Sequence, residues 1–199
     1  NVTSIYVSGS DVYCAGYSVN SSPVEVPVYW KNGTRTELTP IDSTREARVN
    51  SMYISGSDVY CAGYSRNSSY LQVPVYWKNG TRTELTPIDS TKRAYVTSIY
   101  ISGSDVYCAG YSVNSSDVGV AVYWKNGTRT ELTPIDSTET AYVNSIYVSG
   151  SDVYCAGYCW NSSNAVAVAV YWKNGTRTEL TPINSDKHSE CKSIYIVTK

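Results

Sequence analysis

The sequence predicts an all-β fold, and three observations lead to this class. A unit of 47 or 48 residues occurs four times along the 199-residue chain. Each unit holds four short segments rich in β-branched and aromatic residues, separated by Gly, Asn, Ser and Pro, as expected for strands joined by turns. No window has the period of a helix. Repeats of about 40 to 50 residues with four strands each are typical of the blades of a β-propeller.

Two nearly invariant motifs define the repeats. SGSDVYCAGY begins at Ser8 and recurs three times at intervals of 47 residues, and YWKNGTRTELTPI begins at Tyr29 and recurs at intervals of 47, 47 and 48 residues. We therefore expect residues 1–199 to form a single β-propeller domain of four four-stranded blades. The repeats cover about 1–47, 48–94, 95–141 and 142–190, and a partial fifth repeat covers 191–199.

The first unit illustrates how each blade is built. Its four strands, named a to d, are predicted at 4–8, 11–18, 24–31 and 34–39. Gly9 and Ser10 turn strand a into strand b, and the polar residues 19–22 form the loop between strands b and c. Asn32 and Gly33 form the favoured two-residue hairpin turn between strands c and d. Pro27 weakens the case for strand c, because proline removes a hydrogen-bond donor from the ladder.

After the fourth unit, the motif SIYI at 193–196 begins a further copy, so residues 193–198 are predicted as a surplus C-terminal strand. Three explanations are open. The strand closes a four-bladed ring within one chain, it pairs with another subunit to make a homo-oligomer, or the chain is a fragment of a longer propeller. We favour closure within one chain, because an open propeller exposes unpaired strand edges.

The pattern SIYVSGSDVYCAGY followed by VYWKNGTRTEL resembles bacterial propeller repeats of the NHL and YVTN type. It is more similar still to secreted repeats that read SIYVSG-DVYVAGY-YWKNG. The resemblance implies that strand a lines the central axis, that strand d lies outermost, and that the b–c loops share one face with the d–a connections. Where those repeats have valine, this chain has cysteines that we expect to be small buried hydrophobes. They are Cys14, Cys61, Cys108 and Cys155.

Charge and composition argue against several classes of function. Sixteen basic and seventeen acidic side chains give a net charge of −1, so we expect no nucleic-acid partner and no binding to anionic membranes. No apolar run is long enough for a membrane span, so no membrane insertion is expected. The single histidine, His188, excludes repeated histidine-based catalytic or metal sites. The repeated acids Asp11 and Glu37 have equivalents in every unit, whereas acid–base catalysis needs two carboxylates in different environments, so we predict no enzyme, no cofactor and no metal site. Asp11 is expected to hold the a–b turn through bonds from its side chain to the backbone.

Two cysteines occur only in the last unit. Cys159 ends strand b and Cys191 opens the final strand. We predict a disulfide between them that clamps the C-terminal strand to the last blade. This disulfide, several Asn-Xaa-Ser/Thr sequons and a start at Asn1 rather than Met predict a secreted or cell-surface protein.

Aromatic and amide side chains recur beside the b–c loops. Each strand b has a tyrosine near its end, and an asparagine follows three residues later in the loop. Together the two side chains would offer a sugar an aromatic platform with a polar rim. These predicted ligand-binding residues are Tyr17, Asn20, Tyr64, Asn67, Tyr111, Asn114, Tyr158 and Asn161. The position between tyrosine and asparagine varies, and it is filled by Val19, Arg66, Val113 and Trp160.

The sequence therefore predicts a multivalent lectin, with about one shallow site per blade and glycans as partners. Its architecture is similar to that of tachylectin-type propeller lectins, although it lacks their motifs. The alternative is a structural or protein-binding module of an extracellular assembly that uses the terminal strand for contacts. A hydrolase with its site at the central channel ranks third, since no asymmetric catalytic set is visible.

Overall fold

The structure, a computed structural model, describes residues 1–163 and 165–197. Their regular elements are sixteen β-strands in four antiparallel sheets, each with its strands in chain order. Blades 1 and 2 contain β1 (Val2–Ser8), β2 (Asp11–Val19), β3 (Glu25–Lys31), β4 (Thr34–Glu37), β5 (Ala47–Ser55), β6 (Asp58–Arg66), β7 (Gln72–Lys78) and β8 (Thr81–Glu84). Blades 3 and 4 contain β9 (Ala94–Ser102), β10 (Asp105–Val113), β11 (Gly119–Lys125), β12 (Thr128–Glu131), β13 (Ala141–Ser149), β14 (Asp152–Asn161), β15 (Val166–Lys173) and β16 (Thr176–Glu179).

The prediction of an all-β propeller with four four-stranded blades is confirmed. Strand c forms despite Pro27, which lies opposite Tyr17 in the β2–β3 ladder. Strand d is shorter than predicted and ends at Glu37. The chain leaves the ladder there because the Leu38 amide donates to the Pro27 carbonyl oxygen (2.8 Å) and the Leu38 side chain enters the core. Within the described range, no helix has the length and hydropathy needed to cross a membrane.

A bulge explains the glycine in the middle of strand b. The register of β5 against β6 shifts between Val49 and Ser51. A Cβ atom at Gly63 would lie 2.0 Å from the carbonyl oxygen of Arg48. Only glycine lets the bulged backbone approach so closely, which gives the AGY motif a structural reason.

The a–b and c–d turns of each blade are joined by side chains. Asn32 and Gly33 both have positive φ, at 49° and 82°, as a type I′ hairpin requires. Asn32 accepts a hydrogen bond from the Val12 amide and donates from Nδ2 to Asp11 (2.8 Å), which also pairs with Lys31. The carboxylate of Asp11 therefore binds two side chains of the c–d hairpin, where we had expected bonds to the backbone of its own turn.

The core lies between neighbouring blades. At the junction of blades 2 and 3, Ile99 and Trp124 pack against Tyr60 and Leu85. The Trp124 indole also donates from Nε1 to the carbonyl oxygen of Thr86 (2.9 Å). We call the side of a blade that carries the Ile99 and Trp124 positions its leading face, and the side that carries the Tyr60 and Leu85 positions its trailing face. The predicted burial of the strand-b cysteines is confirmed at Cys61, Cys108 and Cys155, but Cys14 in blade 1 is only half-buried. The strand-c tryptophans follow the same division, since Trp77, Trp124 and Trp172 are buried and Trp30 is half-buried.

Each strand a also contacts strand a of the next blade directly. The Ile99 amide donates to the Ser51 hydroxyl of the preceding blade (3.2 Å). The rings of Tyr53 and Tyr100 lie 5.1 Å apart, and Tyr100 lies 4.8 Å from Tyr147. The inner strands thus form a continuous row linked by hydroxyls and aromatic rings.

The surplus C-terminal segment, residues 191–197, occupies the position of strand a in a fifth blade. Its Ile194 amide donates to Ser145 (3.2 Å), and its Tyr195 ring lies 5.1 Å from Tyr147. These contacts repeat those between consecutive blades, but within residues 1–163 and 165–197 this segment has no ladder of its own. Residue 198, predicted as the end of this strand, lies outside the described residues.

The favoured explanation of this segment, ring closure within one chain, is wrong for this structure. Ile5 on the leading face of blade 1 is 66% exposed, whereas its equivalent Ile99 is 4% exposed. Leu180 on the trailing face of blade 4 is 38% exposed, whereas its equivalent Leu132 is 2% exposed. The segment binds the blade that precedes it and leaves blade 1 open, because each junction follows the same local packing and none of these contacts brings the two ends together.

Candidate binding clefts between the blades

The predicted asparagines hold the b–c loops. The side-chain oxygen of Asn67 accepts hydrogen bonds from the amides of Ser69 (3.0 Å) and Leu71 (3.1 Å). Asn20 and Asn114 make the same pair of bonds, and Asn161 accepts from the Ser163 amide. Such a loop stabilised by an asparagine carbonyl is an Asx turn. Since the carbonyl oxygens of Asn20, Asn67 and Asn114 each accept two hydrogen bonds, only their side-chain NH₂ groups remain for a ligand.

The predicted tyrosines differ in exposure along the chain. Tyr64 and Tyr111 are buried, while Tyr17 and Tyr158 are half-buried. The ring of Tyr111 is covered by Tyr95 of strand a in its own blade (4.2 Å) and by Tyr142 of strand a in the next blade (4.7 Å). Tyr64 likewise faces Tyr95 of the next blade (6.4 Å). Neither Tyr64 nor Tyr111 therefore exposes an aromatic platform at the surface. Their role in ligand binding stays a prediction.

Burial also decides the ionisation of these phenols. It raises the pKa of Tyr64 to about 12, with the nearby Glu46 carboxylate acting in the same direction. It raises the pKa of Tyr158 to about 12 as well. Both hydroxyls therefore stay protonated at neutral pH and can donate hydrogen bonds.

Open clefts lie at the blade junctions, on the face that carries the b–c loops. The first, between blades 1 and 2, has a volume of about 400 Å³ and a strongly charged lining. Arg48 pairs with Glu25, Arg66 donates from Nε to Glu46 (2.7 Å), and the Arg45 guanidinium lies over an aromatic ring. Burial works to raise the pKa of Glu46, but hydrogen bonds from Arg66 and a tyrosine outweigh it and lower this pKa. Both carboxylates of this cleft are thus already paired, while Arg45 contacts Tyr70 and has no carboxylate partner among the described residues.

The second cleft, between blades 2 and 3, has a volume of about 380 Å³. Leu71 and Val113 supply its apolar lining, and Arg93 adds a positive charge. Lys92 closes one side through an ion pair with Asp117 (2.6 Å). This cleft has no aromatic side chain in its lining, so it offers a ligand charge but no flat ring.

The third and fourth clefts flank blade 4 and share two aromatic residues, Tyr158 and Trp160. Each has a volume of about 360 Å³. The third is completed by Glu139 and Thr140 from the connection between blades 3 and 4 and by Tyr142 from β13. In the part of the chain described, the Glu139 carboxylate has no hydrogen-bond or ion-pair partner. It is therefore free to accept hydrogen bonds from a ligand.

The fourth cleft is completed by the C-terminal connection. His188 lies beside Trp160, with ring centroids 5.2 Å apart. His188 accepts a hydrogen bond at Nδ1 from the Ala167 amide (2.9 Å), which leaves Nε2 as the donor of the ring. Glu190 lines the same cleft and pairs with Lys192 (2.7 Å). An indole face thus lies next to an imidazole donor and a carboxylate acceptor.

The sequence pointed to Tyr158 but missed its main partner, since Trp160 was noted only as a variable position. The signal was nevertheless present, because Trp160 stands where two other repeats have valine and one has arginine. In a search of residues 1–163 and 165–197, no group of three or more His, Cys, Asp or Glu side chains is placed to hold a metal ion.

The predicted disulfide between Cys159 and Cys191 is not formed, and both residues are free thiols. Cys159 faces blade 3, where the Ile135 backbone hydrogen-bonds to it, although burial still raises its pKa to about 11. Cys191 lies beyond blade 4, where its amide donates to Gly157 and its carbonyl accepts from Asn144. The two cysteines therefore lie on opposite sides of the blade-4 sheet.

Comparison with known proteins does not assign the chain to a family. No protein-family model and no curated protein matches the chain. A fucose lectin from Kordia zhangzhouensis, solved with methyl-fucoside, matches with a TM-score of 0.45 and 11% identity, over 64% of this chain and 95% of that chain. A sucrose-6-phosphate hydrolase from Lactobacillus gasseri matches with a TM-score of 0.43 and 10% identity, over 90% of this chain and 44% of that chain. The chain therefore spans less than half the length of that hydrolase, and the resemblance to NHL and YVTN repeats rests on the repeat motif alone.

Proposed function

We propose that this chain is a lectin that binds carbohydrate in the clefts between its blades and catalyses no reaction. The observation that carries the proposal is the pair of clefts flanking blade 4, where Tyr158 and Trp160 lie beside carboxylates and hydrogen-bond donors. Glycans are the proposed partners, and a secreted or cell-surface location is proposed from the sequons in the sequence.

The chemistry of these clefts suits a sugar. A pyranose ring presents an apolar C–H face that packs on an aromatic ring, and hydroxyls that need both donors and acceptors. Trp160 supplies the ring, Glu139 an acceptor without another partner, and the Nε2 of His188 a donor. The volume of about 360 Å³ in each cleft lies near the lower end of the range for small-molecule sites. It fits one or two sugar rings.

The other two clefts are weaker candidates. In the first, a sugar would have to compete with the ion pairs of Glu25 with Arg48 and of Glu46 with Arg66. The second lacks an aromatic ring in its lining. We therefore propose that affinity is concentrated around blade 4, in place of one equal site on every blade.

The absence of catalysis is proposed from the state of the repeated acids. Asp11 receives hydrogen bonds from Lys31 and Asn32, which lower its pKa below the ordinary value of 3.8. Asp58 has the same kind of partners and the same direction of shift. A glycosidase needs one carboxyl group with a raised pKa to act as an acid, and these repeated aspartates are shifted the opposite way.

A second candidate function is a protein-binding module of an extracellular assembly. It is favoured by the exposed apolar faces at the two ends of the blade array, on which Ile5 and Leu180 lie. The two functions are compatible, because the clefts open on the b–c face and the end faces lie at its two edges.

The test is a glycan array, followed by titration of tryptophan fluorescence with each sugar that binds. Trp77, Trp124 and Trp172 are at most 1% exposed. Trp30 is half-buried but lines none of these four clefts, so a ligand-dependent change reports mainly on Trp160. The variant Trp160→Val introduces the residue that two other repeats have at this position. We expect it to fold normally and to lose at least about tenfold in affinity, the loss of one stacking contact.

Two results would contradict the proposal. Absence of binding to every glycan class on the array would remove the lectin function. Full affinity in Trp160→Val would move the site away from blade 4. The matched control is Arg66→Val, which introduces the same valine at the equivalent position of blade 2 and should leave sugar affinity at blade 4 unchanged.

A further inference from the structure

The two ends of the blade array carry apolar surface that is buried everywhere else. On the leading face of blade 1, Ile5 and Val7 are more than half exposed. On the trailing face of blade 4, Leu180 and Ile183 are exposed. Contiguous apolar surface of this kind marks a protein interaction site. Its occupant can be inferred, because the chain contains three examples of how these two faces pack.

Each internal junction joins one leading face to one trailing face with the same contacts. The indole of Trp124 donates to the Thr86 carbonyl oxygen of the preceding blade, and Trp77 donates to Thr39 in the same way (2.9 Å each). In blade 1, Trp30 has no acceptor for its indole among the described residues. The next carbonyl of this series belongs to Thr181, on the open side of blade 4. The unpaired donor and this carbonyl lie on the two faces that lack a neighbour.

We propose that two copies of this chain associate head to tail, with the leading face of blade 1 in one copy packed on the trailing face of blade 4 in the other. The contact is heterologous, and two such contacts close a ring with two-fold symmetry. Eight blades result, which is within the range of known propellers. Both end faces are then covered, and no apolar face is left for further growth.

The C-terminal segment 191–197 competes for this contact. It sits where strand a of the incoming blade must lie, with Ile194 bound to Ser145 and Tyr195 against Tyr147. Strand β1 of a second copy has the same Ser-Ile-Tyr pattern and would make the same contacts. Since β1 is held by a ladder to β2 and the segment has none in the described part of the chain, the segment is the one that leaves. It therefore weakens the dimer without blocking it.

The test is sedimentation velocity of the full chain over a range of micromolar concentrations. We expect a reversible transition from 21.9 kDa to twice that mass. Ile5→Asp places a charge in the contact and should weaken the dimer by about a hundredfold or more. Because Ile5 is exposed in the single chain, the variant should keep its fold. The control is Ser10→Asp. Ser10 is exposed, and its equivalent Ser57 is exposed even though blade 2 packs against blade 1, so position 10 should lie outside the contact between two copies.

A second variant tests the competing segment. Ile194→Asp should release the segment from blade 4 and strengthen the dimer by about tenfold. Weakening by this variant would make the segment part of the contact and overturn the proposal. A chain that stays monomeric at every concentration, assembles into longer polymers, or dimerises equally well with Ile5→Asp would also overturn it. Hydrogen exchange provides a second readout, because protection of β1 should rise with protein concentration.

Discussion

The open end face leads to a stability prediction that compares two equivalent residues. Ile5 and Ile99 occupy the same position of strand a in blades 1 and 3. Ile99 is 4% exposed within the junction of blades 2 and 3, while Ile5 is 66% exposed. The changes Ile99→Ala and Ile5→Ala remove the same atoms from the same local strand geometry. Any difference in their cost therefore measures the contribution of the neighbouring blade.

The magnitude follows from burial. Replacing isoleucine by alanine removes three carbon atoms, worth about 0.8 kcal/mol each when buried. At Ile99 this is about 2.4 kcal/mol, and the cavity left behind raises the cost to about 3 to 4 kcal/mol. At Ile5 only about a third of the side chain is covered, so the cost is about 0.8 kcal/mol without a cavity. We expect the two variants to differ by about 2 to 3 kcal/mol in the free energy of unfolding.

The assay is urea unfolding at a concentration where the chain is monomeric, followed by both circular dichroism and tryptophan fluorescence. The two signals should coincide, because a comparison of free energies requires two-state unfolding. Ile146→Ala serves as a second buried reference and should resemble Ile99→Ala. Equal costs for Ile5→Ala and Ile99→Ala under these conditions would refute the reasoning, since they would mean that blade 1 is covered within one chain.

Two further predictions concern thiols and acid. With a thiol reagent, the half-buried Cys14 and Cys191 should react in the native protein, whereas Cys61, whose pKa burial raises to about 12, should react only after unfolding; a disulfide found by peptide mapping would contradict the structure. Hydrogen bonding by Lys78 lowers the pKa of Asp58 below 3.8 in the folded state. The ion pair therefore stabilises the fold fully above pH 3.8, and this stabilisation is lost as the pH falls through the folded pKa of Asp58. Asp58→Asn should lower the urea midpoint at neutral pH and flatten its decline in acid, and an unchanged acid profile would speak against this pair.

The fold was predictable because its signals are local. Each strand ends at a turn whose residues specify its geometry, as Asn32 and Gly33 do with positive φ at both positions. The period of the repeat then sets the number of strands per blade. Errors arose where a contact spans two repeats. The end of strand d at Glu37 depends on Leu38 entering a core that it shares with the next blade.

The site was harder to predict for the same reason. Tyr64 and Tyr158 follow the same DVYCAG motif, yet Tyr64 is buried and Tyr158 borders two clefts. The difference comes partly from the following repeat, which places the Tyr95 ring near Tyr64 and His188 near Tyr158. A single repeat does not contain that information, because these side chains come from about 30 residues further along the chain.

The same dependence on neighbours explains why the proposed sites gather around blade 4. In an array of nearly identical units, two units differ in chemistry only where their loops differ or where a neighbour is missing. The last repeat meets both conditions, since it has Trp160 and one extra residue between Tyr158 and Tyr171 and is followed by the segment 191–197 where the others have a complete blade. Sugar binding and head-to-tail association would therefore use adjacent surfaces of one blade. A dimer that displaces residues 191–197 would also move Glu190 and His188, so we expect association to change the fourth cleft while leaving the third, lined by Glu139, intact.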